Sequence, residues 1–116
     1  MEYIWKITGM KKIDNLDEMP NVIVHVTWHL TAVDTDGTRA LYEGATPLEP
    51  PPSDSFITYA DLTEEIVLGW IQAKITGTYG EHVYGLLNRR LEQQRQKLQQ
   101  VNDFEWTKHT PFQGYN

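Results

Sequence analysis

His25 and His29 are the first residues in this sequence whose type and spacing could do chemistry. On a helix, a four-residue spacing would bring two imidazoles together on one metal ion. Here they sit in the segment Asn21–Val33, where apolar and polar residues alternate as in a strand. An extended chain puts residues four apart about 13 Å from each other, at roughly 3.3 Å per residue, too far for one ion to bridge. They read as solvated or hydrogen-bonded histidines on a sheet face. The stretch Asp34–Glu43 imitates part of a calcium loop, with Asp34, Asp36, Gly37 and Glu43 at the third, fifth, sixth and twelfth positions. Ala32 stands where the first ligand belongs, so the stretch reads as a hairpin turn. Gly77, Gly80 and Gly85 lie near a helix start but lack the Lys-Ser/Thr of a phosphate loop and the preceding strand of a dinucleotide site. With no cysteine in the chain, disulfides, thiolate zinc sites and cysteine nucleophiles are excluded. Carboxylates are plentiful, yet no pair is placed in a pocket that would tune it for acid–base work. No catalytic, cofactor-binding or metal-binding residue is assigned, and the chain is not expected to be an enzyme.

The elements that hold these residues come as strands first and helices second. Tyr3, Trp5 and Ile7 alternate with Ile4, Lys6 and Thr8, which predicts a strand over about 3–10. The strongest strand spans about 21–34. Its Val22, Val24, Val26, Trp28 and Leu30 are expected on the core face, with Ile23, His25, Thr27, His29 and Thr31 on the other. A turn at Asp34-Thr35-Asp36-Gly37 leads to a returning strand over about 37–44. Pro47, Pro50, Pro51 and Pro52 forbid a central strand, so an extended connection should follow and re-enter the core near Phe56 and Ile57.

Thr63 is a good N-cap for a helix over about 64–76, with Glu64 and Glu65 at the positive end of its dipole. Leu62 and Val67 occupy the positions of a hydrophobic staple, and Gly77 is the stop. Thr78 and Glu81 fit a capping box for a second helix over about 79–101. The fold class expected is α+β: a three-stranded antiparallel meander packed on a helix, then a long C-terminal helix and an aromatic tail. Residues 1–101 form one domain in this reading, and 102–116 an extended tail.

The 116 residues include four Trp, six Tyr and three Phe, too apolar a set for a disordered chain. Neither a signal-peptide core nor a run of about 18 apolar residues is present, so a soluble protein with no membrane role is expected. Residues 13–65 carry eleven acids against Arg39 as the one base. Residues 66–101 carry five bases against two acids. This division argues against binding nucleic acid through a phosphate-contacting surface and permits contact between the two halves, within or between subunits.

Three stretches together resemble a family of short tailed-bacteriophage proteins, cyanophages included. They are Trp5-Lys6-Ile7, then Val24-His25-Val26-Thr27-Trp28-His29-Leu30-Thr31, then Phe56-Ile57-Thr58-Tyr59-Ala60-Asp61-Leu62-Thr63-Glu64-Glu65 through Trp70. The likeness covers roughly residues 3–75, and the segment Tyr59–Trp70 is its most distinctive part. It implies phage origin and carries over no catalytic residue. The sequence from Tyr79 onward departs from that pattern.

A protein-contact surface is the remaining expectation. A helix over 79–101 would be about 34 Å long. Strands of about 17–20 Å cannot cover it, so it should project. Leu91, Leu98 and Val101 continue its apolar seam, and Phe104, Trp106, Phe112 and Tyr115 add aromatic area. These seven residues are the candidate interaction set. The expected function is that of a phage accessory or virion-associated protein working through protein contacts, self-association among them, in the virion. The alternative is a small effector that binds a host protein in the host cytoplasm.

Overall fold

The computed structural model describes residues 1–96 and 106, and its order of elements is three strands followed by two helices. Strands β1 (Glu2–Leu16), β2 (Met19–Val33) and β3 (Arg39–Pro47) form one antiparallel sheet in the order β1-β2-β3. Helices α1 (Glu64–Lys74) and α2 (Gly77–Arg95) follow, after two single turns of 3-10 helix at Ser53–Ser55 and Tyr59–Asp61. The fold is α+β, with helices packed on a three-stranded meander.

Alternation in β2 sets the core. Val26, Trp28, Leu30 and Ala32 are buried and pack with Val67, Ile71 and Ile75 and with Val83, Leu87 and Leu91 from α2. Trp5 and Ile7 from β1 and Tyr42 from β3 close the layer. Trp28 is its centre: fully buried, with ring centroids 5.5 Å from both Trp5 and Tyr42. Its indole N–H donates to Thr46 Oγ1 at 2.9 Å, which satisfies the one polar atom the core would otherwise strand. Gly44 lies opposite Trp28 on β3, and a Cβ there would fall 2.1 Å from the indole ring. The glycine is thus the floor on which Trp28 lies.

The register departs from simple alternation at two places. Lys11 pairs with His25 but Lys12 pairs with Ile23, so Val24 is an extra residue on β2. Such a bulge reverses which side chains face the core. Ile23 therefore joins the core and Val24 is only half-buried, contrary to the expected assignment of these two. A second irregularity at Thr8 lets Ile7 and Met10 both lie on the core side.

Strand β1 runs to Leu16, six residues past its expected limit, and β2 starts at Met19, two residues before its own. They are joined by Asp17 and Glu18, with φ of 50° and 67°. Positive φ at both central residues is the geometry of a two-residue hairpin turn, usually made with Asn or Gly. At 15 residues each, β1 and β2 span roughly 50 Å. The sheet is thus longer than α2, which at 19 residues covers about 28 Å.

Thr63 caps α1 as its position implies, accepting from the Ile66 amide at 3.2 Å. Helix α2 begins two residues before the expected start. Its N-cap is Thr76, which makes no side-chain capping bond, and Thr78 lies inside the helix. Helix α1 ends at Lys74 with Ile75 as its cap, so Gly77, at φ +58°, is not its stop but the first residue of α2.

Candidate functional site

The C-terminal half of α2 docks on the β2–β3 turn. The turn is held by Asp34 N–H to Thr38 O and Gly37 N–H to Asp34 O, both 2.9 Å, with Gly37 at φ +86°. Arg95 contacts the Asp34 carboxylate, lies 3.2 Å from Asp36 Oδ2 through Nε, and reaches Glu92 at 3.5 Å. The amide of Thr38 hydrogen-bonds the Asp36 carboxyl and lowers its pKa below the ordinary value. The helix end is therefore anchored to the hairpin. Over the described residues it does not project, because the strands are far longer than the expected 17–20 Å.

This placement revises one member of the candidate set. Leu91 is 1% exposed within the core, between α2 and the sheet, so it packs the fold and offers no contact surface. Trp106 is 57% exposed. Leu98, Val101, Phe104, Phe112 and Tyr115 lie outside the described residues.

Both helices pack on one face of the sheet. From Val33 down to Thr27 the opposite face carries one residue of β1, β2 and β3 in each row. Glu2, Val33 and Arg39 form the first row, and Ile4, Thr31 and Leu41 the second. Lys6, His29 and Glu43 form the third, and Gly9, Thr27 and Ala45 the fourth. Of the outer-strand residues, Glu2, Ile4, Lys6, Arg39, Leu41, Glu43 and Ala45 are all exposed, Ile4 at 42% and Leu41 at 37%. The β2 residues between them are half-buried by their neighbours. Thr8 and Thr27 join their hydroxyls across the β1–β2 gap at 3.1 Å.

His25 lies one row further, opposite Lys11 and Pro47, and its buried Nδ1 has no hydrogen-bond partner among the described residues. His29 lies between Lys6 and Glu43, so the two histidines are held in separate rows by the extended strand. Among the described residues, no three His, Asp or Glu side chains come together as a metal site.

The two sheet edges are partly occupied. Glu64 at the start of α1 accepts from the Ile7 amide on β1 at 3.2 Å. Arg90 from α2 donates to the Leu41 carbonyl on β3 and stands 6.0 Å from the Tyr42 ring centroid. These bonds take up groups that an added strand would need.

One cleft of about 480 Å³ lies beneath the proline-rich connection. Its apolar walls are Ile23, Leu48, Pro51, Phe56, Ile57 and Trp70, with Glu49 and Lys74 at its margin. Phe56 and Ile57 are thus half-buried where the connection returns to the domain, as their apolar character implies. Among the described residues no helix is long and apolar enough to cross a membrane.

Reading residues singly missed the open face. Alternation places His25, Thr27, His29 and Thr31 on the non-core side, but their β1 and β3 neighbours come from pairings 10 to 27 residues apart in sequence. No curated protein and no solved structure matches the chain. One family does match, over residues 1–106, which include the whole sheet and both helices, and the chain belongs to it: a domain of unknown function, DUF7936.

Proposed function

We propose that this chain is a non-catalytic accessory protein of a tailed bacteriophage, associated with the virion, that works by protein–protein contact through the open face of its sheet. The observation that carries the contact role is the one-sided layering of the fold. The helices cover one face, and the other presents Ile4 and Leu41 at 42% and 37% exposure among charged neighbours. Apolar groups set within a polar surround are a common composition for a contact surface. The phage assignment draws its support from the segments Trp5–Ile7, Val24–Thr31 and Phe56–Trp70.

Mass spectrometry of purified particles, compared with infected-cell lysate, tests the reading. Peptides of this chain should be found in the particles, and Leu41→Asp should remove them while the protein stays folded in the lysate. A chain found in lysate and not in particles would overturn the virion role in favour of a host-directed effector. Wild-type incorporation by both Ile4→Asp and Leu41→Asp would overturn the role of the open face.

A further inference from the structure

We propose that the open face binds a second copy of this chain, sheet on sheet, about a two-fold axis that runs along β2. This rests on the reading of that face as a contact surface and names its partner. The argument begins with four charges. Glu2 and Arg39 both pair with Val33, and Lys6 and Glu43 both pair with His29. The corners of the face therefore alternate in sign around its perimeter, with like charges on the diagonals. Between them, Ile4 and Leu41 flank Thr31 at one level.

A two-fold rotation about an axis parallel to β2 lays β1 of one copy over β3 of the other and keeps every row at its own level. Lys6 then meets Glu43 of the second copy, Glu2 meets Arg39, and Ile4 meets Leu41. Each contact occurs twice, as an isologous interface requires. The Gly9 row meets Ala45, small residue against small residue. An axis across the strands would also oppose unlike charges, but it would carry the Gly9 row out over the β2–β3 turn and leave it uncovered. Crossing the sheets at a right angle would set Glu2 on Glu2, Glu43 on Glu43 and Lys6 on Arg39. The charge pattern thus selects aligned sheet packing over orthogonal packing.

The edges are poorer sites for a second copy, because Glu64 and Arg90 already bond to the outer strands there. Lys6 Nζ also lies 4.0 Å from Glu64, but both side chains are largely exposed, so this contact holds Lys6 weakly. The face is about 10 Å wide between its outer strands and about 20 Å long. That is small beside the roughly 800 Å² per partner of a standard stable interface, so the dimer should be concentration-dependent.

Sedimentation velocity on the full chain over a wide concentration range, with circular dichroism as the check on folding, tests the proposal. The wild-type chain should pass from monomer to dimer. Lys6→Glu and Glu43→Lys should each weaken the dimer by about tenfold or more, since each sets two like-charge contacts in place. The double variant should recover most of the affinity, because the swap restores opposite charges across the axis. That recovery separates the dimer contact from the Lys6–Glu64 contact, which the Glu43 change cannot repair. A chain monomeric at all concentrations, or a dimer whose affinity ignores the single charge reversals or gains nothing from the double, would overturn the proposal. A monomer still incorporated into particles and lost on Leu41→Asp would overturn the dimer alone and leave the contact role of the face standing.

Discussion

Gly44→Ala should destabilise this domain as severely as loss of a large core side chain. A methyl group on Gly44 would lie 2.1, 2.2 and 2.6 Å from three carbons of the Trp28 ring. Ordinary carbon contacts are about 3.5–4.0 Å, so the ring must move by more than about 1 Å. It has nowhere to go: Trp5 and Tyr42 hold it on two sides, and the Nε1–Thr46 bond tethers its edge. Overpacking alone costs about 1–3 kcal/mol. Pulling the indole N–H off Thr46 strands a buried donor, for a further ~1–3 kcal/mol. The sum, about 2–6 kcal/mol, is a large share of the roughly 5–15 kcal/mol that holds a small domain together. Urea unfolding followed by circular dichroism measures it. In a Trp28→Leu background the same Gly44→Ala change should cost under about 1 kcal/mol, since the clashing ring is gone. Gly69→Ala is the contrast. Its added Cβ meets nothing within 4 Å, and α1 should gain about 0.5–1 kcal/mol. A loss below about 1 kcal/mol for Gly44→Ala, or an equal loss with and without Trp28, would refute the packing argument.

Leu91→Ala should cost about 2–5 kcal/mol in the same assay, since the residue is core, whereas removal of residues 97–116 should leave the domain folded with its core intact. The Asp36 carboxyl is held below its ordinary pKa by the Thr38 amide, so its contribution is present above that ordinary value and lost as pH falls through the depressed one. Arg95→Ala should soften the same turn, read as faster amide exchange at Gly37 and Thr38. Burial, then a hydrogen bond with Tyr42, raises the Tyr79 phenol to about 12. Stability from this group is complete below pH ~10 and falls as pH rises toward 12, and Tyr79→Phe should flatten that alkaline loss, followed by thermal melts across the range.

How much could be read from residues alone differs from element to element. Residues 26–32 of β2 were legible because apolar and polar side chains alternate there without interruption, and the structure buries Val26, Trp28, Leu30 and Ala32. Nearer the strand's start the same logic fails, because the extra residue at Val24 reverses the pattern and nothing in Val22-Ile23-Val24 marks it. The turn at Asp17 and Glu18 was also illegible. Two acidic residues at positive φ are held there by the paired strands on either side, against local preference. Helix α1 was legible through Thr63, whose hydroxyl does what its position implies. Helix α2 was less so, since Thr76 caps it without a side-chain bond and Thr78–Glu81 imitates a better start. The open face was beyond reach for a different reason. Its charge pattern exists only once Glu2 and Lys6 are set level with Arg39 and Glu43, some 37 residues away along the chain.

Cross-linking in this cysteine-free chain decides whether the open face binds a second copy. Ile4→Cys chains, mixed with Leu41→Cys chains of distinguishable mass, are treated with a short bis-maleimide near the dimerisation midpoint. The two-fold axis along β2 predicts a covalent heterodimer as the main product, with little product from Ile4→Cys chains alone. Cross-linking that is equal in both samples, or no more than a Glu81→Cys control on the exposed side of α2 gives, would contradict dimerisation through this face.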